Sequence, residues 1–203
     1  MNATTRAACV LGLTLGLTSL GRSDAVAVPL FFGGNAYEFV AAGLSSWPVA
    51  KVAAEAQVFG GANGHLVTIL SAAENDFVLG LLTGVGNSVW VGATDEAVEG
   101  EWRWVTGEQF WQGNASGAAV LFANWAPGQP DDYASGQDYA TMLAPGATLF
   151  PGQSPGQWDD TDGLFSGYVV EFENASPVPE PSTMMLFGTG AVVLARIRRR
   201  KKL

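Results

Sequence analysis

The chain has 203 residues, 48% of them hydrophobic, with 19 acidic and 10 basic side chains and a formal net charge of −9. That length suits one ordinary domain with appendages, and the apolar content argues against a chain disordered throughout. Eight of the ten bases lie near the two ends, so residues 28–175 carry only Lys51 and Arg103 against 17 acids; a segment with net charge near −15 argues against nucleic acid or anionic lipid as partner and favours cations.

Arg6 precedes an apolar run from Ala7 to Leu20 and small residues around Ser23, Asp24 and Ala25. This is the layout of a secretory signal, so residues 1–27 are expected to be removed on export. Cys9, the only cysteine, falls in that leader. The remaining chain must therefore hold together without disulfides, although export would permit them.

Ala36 to Val40 reads as a strand, and Ala-rich Ser46 to Phe59, with apolar positions at helical spacing, reads as a helix stopped by Gly60 and Gly61. His65-Leu66-Val67-Thr68-Ile69 is strand-like. Ser71 followed by Glu74 forms a capping box that opens a second helix through about Leu82. From Ser88 the chain changes to short strands and long loops: Val89 to Ala93, Glu101 to Val105, Tyr139 to Leu143, Gln157 to Asp159 and Gly167 to Phe172. Trp102 and Trp104 stand two apart in a strand and face one side, and with Trp90 and Trp125 they are assigned to packing. Composition suggests disorder only at Gly- and Pro-rich loops such as residues 144–156. Two helices followed by irregular antiparallel sheet predict an α+β domain.

Oxygen donors crowd into two stretches, with Gln129, Asp131, Asp132, Gln137 and Asp138 in one and Asp159, Asp160 and Asp162 in the other. Gathered together without a cation such carboxylates would repel, and calcium, a hard ion, takes six to eight oxygens from flexible loops. Taken separately, Asp131-Asp132 reads better as an exposed turn and Asp159-Asp160 as a strand end, and only together do they favour a bound cation. His65 is the sole histidine and fits a structural role, which with the lack of cysteine disfavours zinc. No glycine-turn loop of EF-hand type is present. Asn114-Ala115-Ser116 and Asn174-Ala175-Ser176 match a glycosylation pattern short enough to arise by chance.

The C-terminal Val178-Pro179-Glu180-Pro181-Ser182-Thr183, the apolar stretch from Met184 to Ala195 and the bases Arg196 to Lys202 resemble a bacterial PEP-CTERM sorting tail. An apolar helix of that length reaches only ~18–22 Å against a hydrocarbon core of ~30 Å. A transient membrane anchor with its basic end on the cytoplasmic side fits better than a permanent span, although an ordinary C-terminal anchor is the other reading.

Within the domain, His65-Leu66-Val67-Thr68-Ile69, Ser71 to Asn75, Trp90-Val91-Gly92, Glu99-Gly100-Glu101-Trp102-Arg103-Trp104, Asn124-Trp125, Gly128-Gln129-Pro130-Asp131, Trp158-Asp159-Asp160 and Val169-Val170-Glu171-Phe172 follow in the order of a C-type lectin domain, which the chain resembles from about Asn35 to Glu173. The organisation implied is a signal peptide at 1–27, a C-type lectin-like domain at 28–175 and a sorting tail at 176–203. By resemblance Gln129, Asp131, Gln137, Asp159 and Asp160 would hold a principal calcium, the bond before Pro130 would be cis, and Asp95, Glu99, Asp132 and Asp138 would hold an auxiliary one. A sugar would share the principal ion through Gln129, Asp131 and Asp159, with Tyr133 or a nearby Trp against its apolar face. By the same resemblance, Gln129-Pro130-Asp131 is the galactose-type form of this loop.

Two departures stand out. Tyr139 and Val170 occupy positions where half-cystines are expected, and Gln137 replaces a Glu, removing one charge from the ion. The resemblance implies an exported, non-enzymatic, calcium-dependent binder of exopolysaccharide or another surface glycan, placed at the cell surface or released after tail processing. An adhesive or structural module that binds protein and no sugar is the alternative. A glycosidase with paired carboxylates is a third reading, disfavoured because the acids cluster as a metal site would.

Overall fold

The computed structural model describes residues 28–177 apart from residue 135, so the expected leader and nearly all of the expected tail lie outside the described residues. The chain opens with a hairpin absent from the sequence expectation. Strand β1 (Leu30–Phe32) pairs antiparallel with β2 (Asn35–Ser45) across Gly33 and Gly34. Both glycines have positive φ, +60° and +98°, which the tight turn between such strands requires. Helix α1 (Trp47–Glu55), with Pro48 in its first turn, ends four residues before the expected Phe59. Val58–Phe59 instead forms β3 and pairs with β4 (Ala62–Leu66) around Gly60 and Gly61.

Helix α2 (Ala72–Leu81) begins where its cap predicts, Ser71 Oγ accepting from Glu74 N at 3.2 Å. The Glu74 carboxylate does not return to Ser71 N. It turns inward and accepts from Leu70 N at 2.8 Å and from Tyr37 Oη at 2.7 Å. Opposite it, Glu171 accepts from Tyr37 Oη, Asn35 Nδ2, Thr68 N and Thr68 Oγ1. Two buried carboxylates are thereby satisfied, as a buried charge must be.

The remaining strands are β5 (Val89–Thr94), β6 (Glu101–Trp104), β7 (Gln109–Gln112), β8 (Ala118–Ala119), β9 (Tyr139–Met142), β10 (Trp158–Thr161) and β11 (Phe165–Phe172). They extend the sheet in the order β1-β2-β11-β5-β6-β7-β8, with β9 joined to β5 and β10 to β9. All pairings are antiparallel except β11 with β5. The domain is therefore α+β with a mixed, largely antiparallel sheet.

Trp158, fully buried, sits edge-on to Trp104 at 5.4 Å, Phe110 at 5.7 Å and Trp125 at 5.9 Å. Its indole N–H donates to Asn75 Oδ1 at 2.9 Å, tying β10 to α2. Trp102 and Trp104 are both buried, as the strand alternation predicts, and Trp125 packs against the same cluster. A second apolar cluster joins Trp47, Ala54, Leu66, Trp90, Val170 and Phe172. Where half-cystines were expected, Tyr139 stacks on Trp47 at 4.8 Å and meets the edge of Trp90, and Val170 is fully buried. Apolar packing occupies both positions.

Strand β11 spans the domain. At its C-terminal end Phe172 shares a shallow cleft with Val28, Pro29, Val58 and Phe59, and just beyond it Ser176 N donates to Gly60 O at 3.4 Å. Entry and exit of the domain thus meet at the β3–β4 hairpin. Phe165, at the other end of β11, borders the candidate site.

Candidate functional site

The loop from β8 to β9 carries the first donor group. Asp160, buried on β10, organises it by accepting from Asp131 N at 3.0 Å and Asp132 N at 2.8 Å. The peptide bond between Gln129 and Pro130 is cis. Asp132, with φ +44°, folds its carboxylate back on its own turn and accepts from Gly136 N and Gln137 N. Gln137 Oε1 accepts from Tyr133 N at 2.7 Å. The loop is shaped by carboxylates and amides binding backbone N–H groups, an arrangement that spends hydrogen-bonding capacity locally.

A cleft of about 570 Å³ opens beside this loop, lined by Gln129, Asp131, Tyr133, Gln137, Asp159 and Asp160 together with Phe150, Gln153 and Phe165. All six residues expected at the principal ion and sugar therefore face one cavity. Gln129 Oε1 is buried there without a hydrogen-bond partner. Burial pushes Asp160 up to about 6 against the two backbone N–H groups that pull it down, with the charge of Asp131 adding to the rise. Asp159 is also raised by burial, with a hydrogen bond from Gln153 opposing and Asp131 adding.

The second group gathers less tightly. Asp95 N donates to Asp138 O at 3.2 Å, and Asp95 Oδ2 accepts from Gly100 N at 2.9 Å while Oδ1 is buried without a partner. Burial pushes Asp95 up to about 7, the Gly100 hydrogen bond opposing and the charges of Glu99 and Asp138 adding. Glu99 and Asp138 are raised as well, by desolvation first and then by neighbouring acids that include Asp132 for both. Asp132 thus lies between the two groups, its side chain committed to its own turn.

Among the described residues no three His, Cys, Asp or Glu side chains converge as a ready-made metal cluster. The donor chemistry nonetheless fits calcium. The donors are all oxygen, two are neutral amides, two buried oxygens lack partners, and carboxylate oxygens already bound to N–H groups retain lone pairs for an ion. Phe150 and Gln153 are cleft residues that the sequence reading missed. Residues 144–156, expected to tend to disorder, instead form turns closed by hydrogen bonds, with Ala147 N donating to Ala144 O and Gln153 N to Phe150 O. A Gln three residues after each turn's start, Gln153 to Phe150 N and Gln157 to Ser154 N, is the sequence signal that could have revealed them.

Comparison with known proteins agrees with this geometry. The family model described as "Lectin C-type domain" matches residues 53–170, and that described as "PEP-CTERM protein-sorting motif" matches residues 177–201. The chain is similar to halomucin of Haloquadratum walsbyi, 32% identical over 79% of this chain and 2% of the relative. It is similar to the alpha-N-acetylgalactosamine-specific lectin of Patiria pectinifera, 32% identical over 55% of this chain and 61% of the relative. The chain therefore spans less than two thirds of either protein. The C-type lectin CEL-I of Cucumaria echinata superposes with a TM-score of 0.56 at 22% identity, covering 73% of this chain and 96% of that one, a likeness of fold. Sequence match, fold and the arrangement of the long loop agree: the chain belongs to the C-type lectin domain family and carries a PEP-CTERM sorting motif behind that domain.

Proposed function

We propose that the protein is an exported, calcium-dependent carbohydrate-binding protein that recognises a galactose-type surface glycan or exopolysaccharide. The observation that carries the reading is Gln129 Oε1, buried and unpartnered in the same cleft as Asp131, Asp159 and Asp160. A buried amide oxygen without a partner is costly unless something absent from the protein alone completes it. Gln129, Asp131, Gln137, Asp159 and Asp160 would hold the ion, and Asp95, Glu99, Asp132 and Asp138 an auxiliary one. When bound, calcium supplies a hard cation that two neighbouring sugar hydroxyls complete.

The protein's own residues then set selectivity. Asp131 and Asp159 are acceptors only, whereas the Gln129 amide both accepts and donates, so the order of amide and carboxylate around Pro130 decides which hydroxyl meets a donor. Similarity to a lectin named for N-acetylgalactosamine supports the galactose-type order. The sorting motif supports export and transient attachment through the tail. A glycan array read with calcium and then with a chelator tests the reading. The expected outcome is chelator-sensitive binding in which galactose or N-acetylgalactosamine competes better than mannose. Chelator-insensitive silence across the array, with normal folding, would favour an adhesive module that binds no sugar.

A further inference from the structure

Tyr133 and Phe150 are large aromatic side chains with 77% and 70% of their surface exposed, and both line the cleft that holds Gln129, Asp131 and Asp159. Isolated exposed apolar residues are ordinary on a surface. Phe150 differs because its segment is built to hold it there. Residues 144–157 are pinned at the base by Leu143 N to Gln157 O and Gly156 N to Leu143 O, both 2.8 Å, and by Gly146 N to Val85 O at 3.0 Å. At the tip, Gln153 Oε1 accepts from Phe150 N at 3.0 Å and Gln153 N donates to Phe150 O at 3.0 Å. The Gln153 side chain lines the same cleft as Asp159, one of the proposed ion-binding residues. One residue thus fixes the backbone of Phe150 through both its side chain and its own N–H.

A second property of the cleft narrows its ligand. Among the described residues the only lysine and the only arginine, Lys51 and Arg103, line a different cavity with Trp47 and Val98, and each is paired with a glutamate, Glu55 and Glu101. The main cleft has three carboxylates, Asp131, Asp159 and Asp160, and no lysine or arginine, so it stays net negative even with a divalent ion bound and a uronic or sulfated chain would meet repulsion from the protein there. Apolar rings at the rim suit the carbon faces of uncharged sugars.

Resting on the proposed carbohydrate reading, we infer that segment 150–153 is a second wall of the site: Phe150, positioned by Gln153, binds a further sugar residue of a neutral glycan chain whose first residue is held at Gln129, Asp131 and Tyr133. The ligand is accordingly an oligosaccharide or an uncharged polysaccharide, and a monosaccharide fills only part of the cleft. Phe150 is here a specificity-determining residue, and Gln153 a positioning residue that acts through it.

The test uses the mature exported protein in calcium and measures affinity by calorimetry for galactose and linear galactotetraose, with mannose and mannotetraose as a second pair. The tetramer should bind about tenfold more tightly than its monomer. Phe150→Ala should bring that ratio close to one while leaving monosaccharide affinity and melting temperature unchanged, and Phe150→Trp should restore it, about the effect of one aromatic contact. Gln153→Ala should lower the ratio part of the way. An unchanged ratio in Phe150→Ala, or an equal loss for monomer and tetramer, overturns the second wall and leaves the parent reading intact. Failure of the wild type to bind any of the four sugars in calcium overturns both.

Discussion

Gln137 already serves the loop, its side-chain oxygen holding Tyr133 N. A carboxylate at that position would keep the bond and return a charge, so Gln137→Glu should tighten calcium binding relative to the wild type, whose Kd we expect in the ~10⁻⁴–10⁻³ M class of extracellular modules. At calcium about a hundredfold above Kd the wild type should gain ~2.7 kcal/mol of stability, read as a melting shift that magnesium does not reproduce. No shift in either protein would discard the metal reading, and a shift confined to the variant would mean that Gln137 has silenced the site. Asp160→Asn behaves differently because Asp160 accepts the N–H groups of both Asp131 and Asp132. The amide offers one acceptor oxygen in place of two, so this variant should lose ~1–3 kcal/mol even in chelator as well as calcium affinity. Glu74 supplies a pH effect away from the site. Desolvation raises it above 4.5, against hydrogen bonds from Leu70 N and Tyr37, with Glu171 adding to the rise. The folded state then binds this proton more tightly than the unfolded chain does. Its stabilising contribution is complete below the unfolded value and is lost as pH climbs through the folded one. In chelator, thermal melting of the wild type should therefore decline more steeply above pH 4.5 than that of Glu74→Gln, and parallel curves would rule Glu74 out as a source.

At the scale of elements, α1 meets β9 through Trp47 and Tyr139, the latter at one of the two positions where half-cystines were expected. Tyr139→Ala should cost about 2–4 kcal/mol in urea denaturation with an unchanged m-value, the lower part of the large-to-small range because Tyr139 is only half-buried. Reductant should leave the wild-type transition where it is, Cys9 being the sole thiol of the sequence. Element α2 was legible because Ser71 and Glu74 are local signals, and β5, β6 and β11 because apolar and aromatic residues mark them. The end of α1 was not, since its Ala-rich pattern runs on through Val58 and Phe59 while a hairpin partner, invisible to a local window, claims those two residues. Strand β7 escaped because Phe110 and Trp111 are adjacent and do not alternate, and β8 because two alanines carry no pattern. In the site, motif order pointed to Gln129, Asp131, Gln137, Asp159 and Asp160, and these five line one cleft. Phe150 was hidden by the Gly and Pro content around it, which reads as disorder until the Gln153 and Gln157 turns are recognised.

For the whole molecule, the sorting motif predicts a processed form. Intact-mass measurement of extracellular protein should place its end near Pro179 or Glu180, and retention of residues 184–203 would count against tail removal. The route of β11 adds a geometric constraint. Its eight residues extend roughly 25 Å at the usual rise per residue, from Phe165 at the rim of the cleft to Phe172 beside the point where the chain departs. Among the described residues the chain therefore leaves β11 at the end opposite the cleft, so a tether joined there would not start at the cleft mouth. Under the proposed function, tethering and glycan binding would use opposite ends of β11. Tail removal would on that reading change where the protein can go without changing what its cleft can hold.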